Sequence, residues 1–215
     1  MRLAVFDCDG TLVDGQAAVC NAMRAAFATV GLDAPADSAV RRIVGLSLPV
    51  AVRHLAPDAG AGQHTHLVEA YRAAFFEART NGQVVEPLYD GIRELLVDLH
   101  RSGWVLGVAT GKSDRGLKGC LANHGLTDLF ATLQTADRHP SKPHPAMLEQ
   151  AMADAFAKPA GTAMIGDTAY DIEMAKAAGA RAIGVSWGYH AAQELMDAGA
   201  EAVAANAGEL RELLR

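Results

Sequence analysis

The sequence predicts an α/β fold: a parallel sheet with helices on both faces, interrupted after its first strand by an all-helical insert. Three observations predict it. The runs Leu3–Phe6 and Trp104–Ala109 are short and continuously apolar, as strands buried on both faces are, and Thr162–Ile165 reads as another buried strand. From residue 87 onward such runs alternate with helical patterns. Between Gly15 and Gln83 no strand signal appears. The division that follows is an α/β core of residues 1–14 and 87–215, with a helical cap of residues 15–86 between its two pieces.

Each element has its own signal. Val19, Met23, Phe27 and Val30 recur at helical spacing, and Gly31 stops that helix. Asp37 and Ser38 are placed to cap a short second helix through Val44, before Gly45. Ser47 is placed to cap a third through Leu55. Leu67, Ala70, Tyr71, Ala74, Phe75 and Ala78 form the clearest helical stripe, ending near Asn81-Gly82. In the core, Ile92, Leu95, Leu96 and Leu99 share a helix face, and Leu117 and Leu121 mark a helix from Ser113 to about His124. A weaker strand is read at Leu129–Leu133 and a helix from Pro145 to Phe156. A helix over Ala169–Ala178, a strand at Arg181–Val185, a helix near Ala191–Ala198, a short strand at Ala202-Val203 and a last helix to Leu214 complete the chain.

Composition narrows the partners. The 215 residues are 50% hydrophobic and carry a net charge of −6 with no basic block, so nucleic acid and an anionic membrane are not expected partners. Cys8, Cys20 and Cys120 form no Cys-x-x-Cys pair, which argues against a disulfide framework or a zinc site and for the reducing cytoplasm. No signal peptide and no membrane-spanning run are read. Oligomeric state is not written in the sequence.

In an open parallel sheet, ligands bind beyond the carboxyl ends of the strands. Three strands here end in reactive side chains. The first runs into Asp7-Cys8-Asp9-Gly10, two carboxylates around a turn signal, suited to metal binding or to a nucleophile beside an acid/base. The second ends at Thr110-Gly111-Lys112, and a third at Gly166-Asp167-Thr168 with Asp171 beyond. Thr168 and Asp171 have the spacing of a helix capping box. Lys142 precedes Pro143-His144-Pro145, which opens a helix; a cation there is unfavourable unless an anion joins it. Lys112 reads as a solvated side chain, and Cys8 as packing on the side of the strand away from the carboxylates. His54, His64 and His66 do not form a metal-binding face.

Together these stretches resemble the haloacid dehalogenase superfamily, and within it phosphatases of the phosphoglycolate phosphatase type. The matching segments are Asp7-Cys8-Asp9-Gly10-Thr11-Leu12-Val13-Asp14, Thr110-Gly111-Lys112, Lys142-Pro143 and Gly166-Asp167-Thr168-Ala169-Tyr170-Asp171, in family order across nearly the whole chain. The resemblance implies a Rossmann-like core and hydrolysis of a small phosphate ester. Asp7 would be the nucleophile that forms an aspartyl-phosphate, and Asp9 the acid and then the base. Mg²⁺ would bind Asp7, the Asp9 carbonyl, Asp167 and Asp171. Thr110 and the Gly111 amide would hold phosphoryl oxygens that Lys142 neutralises. The insert matches the family's cap, whose loop Gly45-Leu46-Ser47-Leu48 would line the closed site and set specificity.

Two positions depart from the pattern: Gly111 stands where asparagine is frequent, and Gly15 where serine or threonine is frequent. Asp9 argues against a dehalogenase, and a cap without lysine argues against a phosphonatase. A β-phosphoglucomutase-like enzyme would place an arginine in the cap loop where Leu48 stands. Arg41, Arg42, Arg53 and Arg72 are also placed to take that role, so a sugar phosphomutase stays an alternative beside a pyrophosphatase and a non-catalytic binding protein.

Overall fold

A computed structural model describes residues 1–215. Six strands, β1 (Arg2–Phe6), β2 (Trp104–Thr110), β3 (Thr132–Thr135), β4 (Thr162–Gly166), β5 (Arg181–Val185) and β6 (Ala202–Ala204), form one parallel sheet in the order β3-β2-β1-β4-β5-β6. The first strand of the chain thus lies in the middle of the sheet, flanked by β2 and β4. The three carboxyl ends that bear the acidic and hydroxyl motifs are therefore neighbours, at the point where the strand order reverses.

Helices cover both faces. On one, α5 (Ile92–Arg101), α6 (Asp114–Asn123) and α10 (Ala207–Leu213) bury Leu96, Leu117, Leu121 and Leu210 against Phe6, Leu106 and Ile165. On the other, α7 (Ala146–Asp154), α8 (Ala169–Ala177) and α9 (Ala192–Ala198) bury Met147, Leu148, Ile172 and Leu195 against Leu3, Val5 and Met164. Alternate residues of β1 serve opposite faces, as the pleat requires. Between β1 and α5 there are only helices: α1 (Gln16–Val30), α2 (Asp37–Arg42), α3 (Leu48–Leu55) and α4 (Ala61–Thr80). They share a small core of their own in which Val19, Met23 and Phe27 of α1 meet Val40, Val52 and Leu67.

Several boundaries differ from the sequence expectation. The strand expected at Leu129–Leu133 lies at Thr132–Thr135, and Thr127–Leu129 is a 3-10 turn. The apolar Leu129 and Phe130 pack on the core, whereas the polar strand residues are buried by pairing: the Thr132 hydroxyl and the Gln134 amide both donate to Asp154, each at 2.7 Å. Helix α7 stops at Asp154, because Phe156 adopts a left-handed backbone (φ 51°) and lies exposed. Helix α2 ends at Arg42, not Val44, with Asp37 inside its first turn, not at its cap. Ser47 does precede α3, but its side chain caps nothing; its backbone N–H instead donates to Ser141 Oγ at 2.8 Å.

Candidate active site

Strand β1 delivers Asp7 into a fully buried group of charges. Lys142 Nζ lies 2.9 Å from Asp7 Oδ1 and 2.6 Å from Asp171 Oδ1, and all three side chains are essentially excluded from solvent. Asp171, at the first turn of α8, uses its other oxygen to accept from the Thr168 N–H (3.1 Å) and hydroxyl (2.7 Å). This is half of the expected capping box; the Thr168 hydroxyl points to the carboxylate and not back to the helix. The sequence places Lys142 just before a helix, where an anion is needed to join it. In the structure α7 begins four residues later, and the ammonium is committed to Asp7 and Asp171.

Asp167 completes the group from the end of β4. It accepts from the Thr11 hydroxyl at 2.8 Å and from the Tyr189 N–H at 2.9 Å. Gly10, with φ +86°, lets the turn after β1 pass over this carboxylate: a Cβ there would lie 2.2 Å from Asp167 Oδ2. Cys8 points away from these acids, into the core beside Cys120, with the two sulfurs 4.0 Å apart. The contact with Cys120 and burial push its thiol well above the ordinary range. All three cysteines are free.

Asp9 belongs to a second group. Its Oδ1 is 3.0 Å from Lys112 Nζ, which is also 2.7 Å from Glu86 Oε1; Glu86 Oε2 in turn meets Arg79 at 2.8 Å. Lys112, expected to be solvated, is therefore almost fully buried and paired. Neither its role nor that of Glu86 was visible in the motifs, although Thr110-Gly111-Lys112 brought Lys112 within two residues of a candidate site residue.

Between the two groups and the cap lies a cleft of about 560 Å³. Asp7, Asp9, Thr110 and Gly111 line it from the core, and Gly45, Leu46, Ser47 and Leu48 from the loop before α3. The candidate residues Asp7, Asp9, Thr110, Gly111 and the cap loop thus meet in one cavity. Lys142, Asp167 and Asp171 sit behind Asp7. Gly111 accounts for its own departure from the family pattern. A Cβ at this position would lie 2.5 Å from the Leu46 carbonyl oxygen and 2.7 Å from that of Gly45. Only glycine lets the cap loop come this close to the core. Gly111→Ala is expected to push residues 45–48 outward, to cost about 1–3 kcal/mol in urea melts and to raise KM more than it lowers kcat.

The electrostatics differ between the two groups. Burial, opposed by Lys142 and reinforced by Asp171, pushes Asp7 up to about 7. Burial, with Asp7 and Asp171 nearby, holds Asp167 well above the carboxylate range. Burial alone would lower Lys142, but Asp171 and Asp7 override it and raise it. Three carboxylates against one ammonium leave two excess negative charges, which a divalent cation would offset. The residues fit one. Ligand atoms of Asp7, Asp167 and Asp171 all lie within 4.8 Å of one another, and both Asp7 oxygens are buried without a hydrogen bond. An all-oxygen donor set of this kind suits a hard cation such as Mg²⁺. The second group is balanced: Asp9 and Glu86 against Lys112 and Arg79. Burial raises Asp9 against the pull of Lys112, while Lys112 and Arg79 outweigh burial at Glu86 and lower it.

Residues 4–185 match the family model described as haloacid dehalogenase-like hydrolase. The probable phosphatase IndB of Dickeya dadantii is 38% identical over 196 residues, covering 90% of this chain and 84% of that protein. The tyrosine-protein kinase PtkA of Mycobacterium tuberculosis is 30% identical, covering 99% of this chain and 72% of that protein. The phosphoglycolate phosphatase of Vibrio cholerae is 28% identical, covering 100% of this chain and 97% of that protein. Among solved structures, that of a predicted phosphatase from Clostridium acetobutylicum superposes with a TM-score of 0.89 at 26% identity, covering 99% of this chain and 97% of that one. With the family model spanning most of its length and the family's motifs gathered around one cleft, the chain belongs to the haloacid dehalogenase-like hydrolases.

Proposed function

We propose that the protein is a Mg²⁺-dependent phosphatase that hydrolyses a small phosphate monoester through an aspartyl-phosphate on Asp7. The observation that carries this reading is the buried Asp7 at the floor of a cleft, its Oδ1 in an ion pair with Lys142 at 2.9 Å, neither oxygen in a hydrogen bond, and Asp167 and Asp171 beside it. Asp7 attacks phosphorus; Asp9, two residues on and lining the same cleft, gives its proton to the departing oxygen and later takes one from water. Thr110 and the Gly111 N–H hold phosphoryl oxygens, and Lys142 offsets their charge. Asp7, Asp167 and the backbone carbonyl of Asp9 would hold Mg²⁺, with Asp171 orienting Lys142 and completing the acidic set. When bound, the ion supplies neutralisation of the phosphoryl charge.

Residues 15–86 act as a cap that closes over the ester, and residues 45–48 select it. The cleft supports a substrate with a second negative group, as phosphoglycolate has, because Arg72 and Arg115 line it without forming an ion pair to any acid. The free, buried thiols support a cytoplasmic setting, and no helix is long and apolar enough to cross a membrane.

The test is phosphate release from 2-phosphoglycolate, pyrophosphate, β-glucose 1-phosphate and p-nitrophenyl phosphate, with and without Mg²⁺. Release that requires the metal supports the reading, and the order of kcat/KM ranks the esters. Isomerisation of the sugar phosphate without release would support a mutase. Phosphoryl transfer from ATP to a tyrosine peptide would support the activity named for the mycobacterial relative.

Metal and protons compete for the same carboxylates. The raised Asp7 contributes stability that is present below its unfolded value of 3.8 and is lost as pH rises towards about 7. A cation that offsets the charge reverses the loss. The rise in Tm on adding Mg²⁺ is therefore expected to be larger at about pH 8 than at about pH 5. An equal rise at both would place the metal elsewhere.

A further inference from the structure

We infer that Lys112 is a positioning residue for Asp9, held by Glu86 and Arg79 and tied through Arg79 to cap helix α4. The inference rests on the phosphatase reading and adds residues to it. Four alternating charges form one chain: Arg79 in the last turn of α4, Glu86 in the return segment from cap to core, Lys112 after β2, and Asp9 after β1. The contacts are 2.8, 2.7 and 3.0 Å, and the Lys112, Glu86 and Asp9 side chains are 9%, 5% and 10% exposed. The return segment is pinned at this point, because His124 Nε2 lies 2.7 Å from the Glu86 carbonyl oxygen. The face of Phe75 backs the chain, 5.7 Å from Lys112 Nζ and 5.4 Å from the Arg79 guanidinium.

Burying a lysine between two acids is not needed for stability; a well-packed apolar replacement of a buried ion pair is often as stable. What the arrangement does provide is a fixed Asp9. Gly15 leaves the room for it. A Cβ at position 15 would lie 2.6 Å from Asp9 Oδ1, so a larger residue would drive the carboxylate off its present seat. With no side chain at position 15 to lean on, Asp9 takes its orientation from the ammonium of Lys112. The ion pair with that ammonium is the one polar contact of the otherwise unbonded Oδ1, and it leaves the second oxygen for the substrate. As an Asp7 oxygen bonds to phosphorus, the bond from phosphorus to the ester oxygen breaks and that oxygen takes the Asp9 proton. A carboxylate free to rotate delivers the proton poorly.

The dependence on the leaving group reads this role directly. The full-length chain carrying Lys112→Met is assayed with Mg²⁺ on an alkyl phosphate and on p-nitrophenyl phosphate, whose leaving oxygen departs without a proton. The kcat/KM for the alkyl ester is expected to fall about 10²-fold, and far less for the aryl ester. Glu86→Gln keeps Lys112 in place and carries the same expectation in smaller measure, so the inference stays testable should Lys112→Met fold poorly. Adding Lys112→Met to Asp9→Asn is expected to change the alkyl rate little, because the two act as a unit. Equal losses on both esters, no loss on either, or losses that multiply with Asp9→Asn would overturn the inference alone. A wild-type chain that releases no phosphate from either ester would overturn the phosphatase reading, and this inference with it.

Discussion

Asp7→Asn is expected to lower phosphate release by roughly 10⁴-fold or more, because the amide cannot form the covalent intermediate. The same change is expected to leave the metal-free protein at least as stable as the wild type. Asp7 is buried beside Asp167 and Asp171 and is pushed up to about 7, so above that pH its charge works against the fold. Asparagine keeps the shape and removes the charge. Lys142 retains Asp171 at 2.6 Å as its partner. A variant that is inactive yet no less stable by thermal melting at alkaline pH would mark Asp7 as a residue kept for chemistry at a cost in stability. A strongly destabilised variant would mean that Asp7 is chiefly a structural partner of Lys142.

Lys142→Met is expected to be the most damaging substitution to the fold. Its ammonium is the only cation touching Asp7 and Asp171 within a solvent-free group. Without it three carboxylates face one another, and stability should fall by about 3–5 kcal/mol in metal-free urea melts at neutral pH. The deficit should shrink as pH falls, since the raised carboxyls of Asp7 and Asp167 take up protons and stop repelling. Adding Mg²⁺ should restore part of the stability but not turnover, because phosphoryl charge would still lack its lysine. Lys142→Arg is not expected to rescue either property: the planar guanidinium is a poor substitute for a compact ammonium in a fully enclosed seat.

Much of this architecture was legible because it is local. Leu3–Phe6, Ala163–Ile165 and Ala182–Val185 are continuous runs without a polar side chain, and each lies within a strand of the sheet. The acidic motifs follow their strands directly, so topology alone brings them to one edge. What escaped was set by partners far along the chain. Lys112 looked solvated because its two acids lie 26 and 103 positions away, in Glu86 and Asp9. Lys142 reads as a cation that needs an anion, but which carboxylates supply it, Asp7 after β1 and Asp171 within α8, is set by the fold and not by its neighbours in the chain. Strand β3 was misplaced because its polar residues are buried by hydrogen bonds to Asp154, which hydropathy does not register. The glycine at 111, noted as a departure, acquires its reason only when the cap loop is seen against it.

The claim that everything else depends on is covalent chemistry at Asp7. The most direct measurement is acid quenching of the enzyme during turnover of a phosphate ester with Mg²⁺, followed by peptide mapping by mass spectrometry. The account predicts one labile phosphoryl group on the peptide containing Asp7, absent without substrate and absent in Asp7→Asn. Phosphate release with no modified Asp7 peptide at any quench time, or a phosphoryl group on another residue, would contradict it.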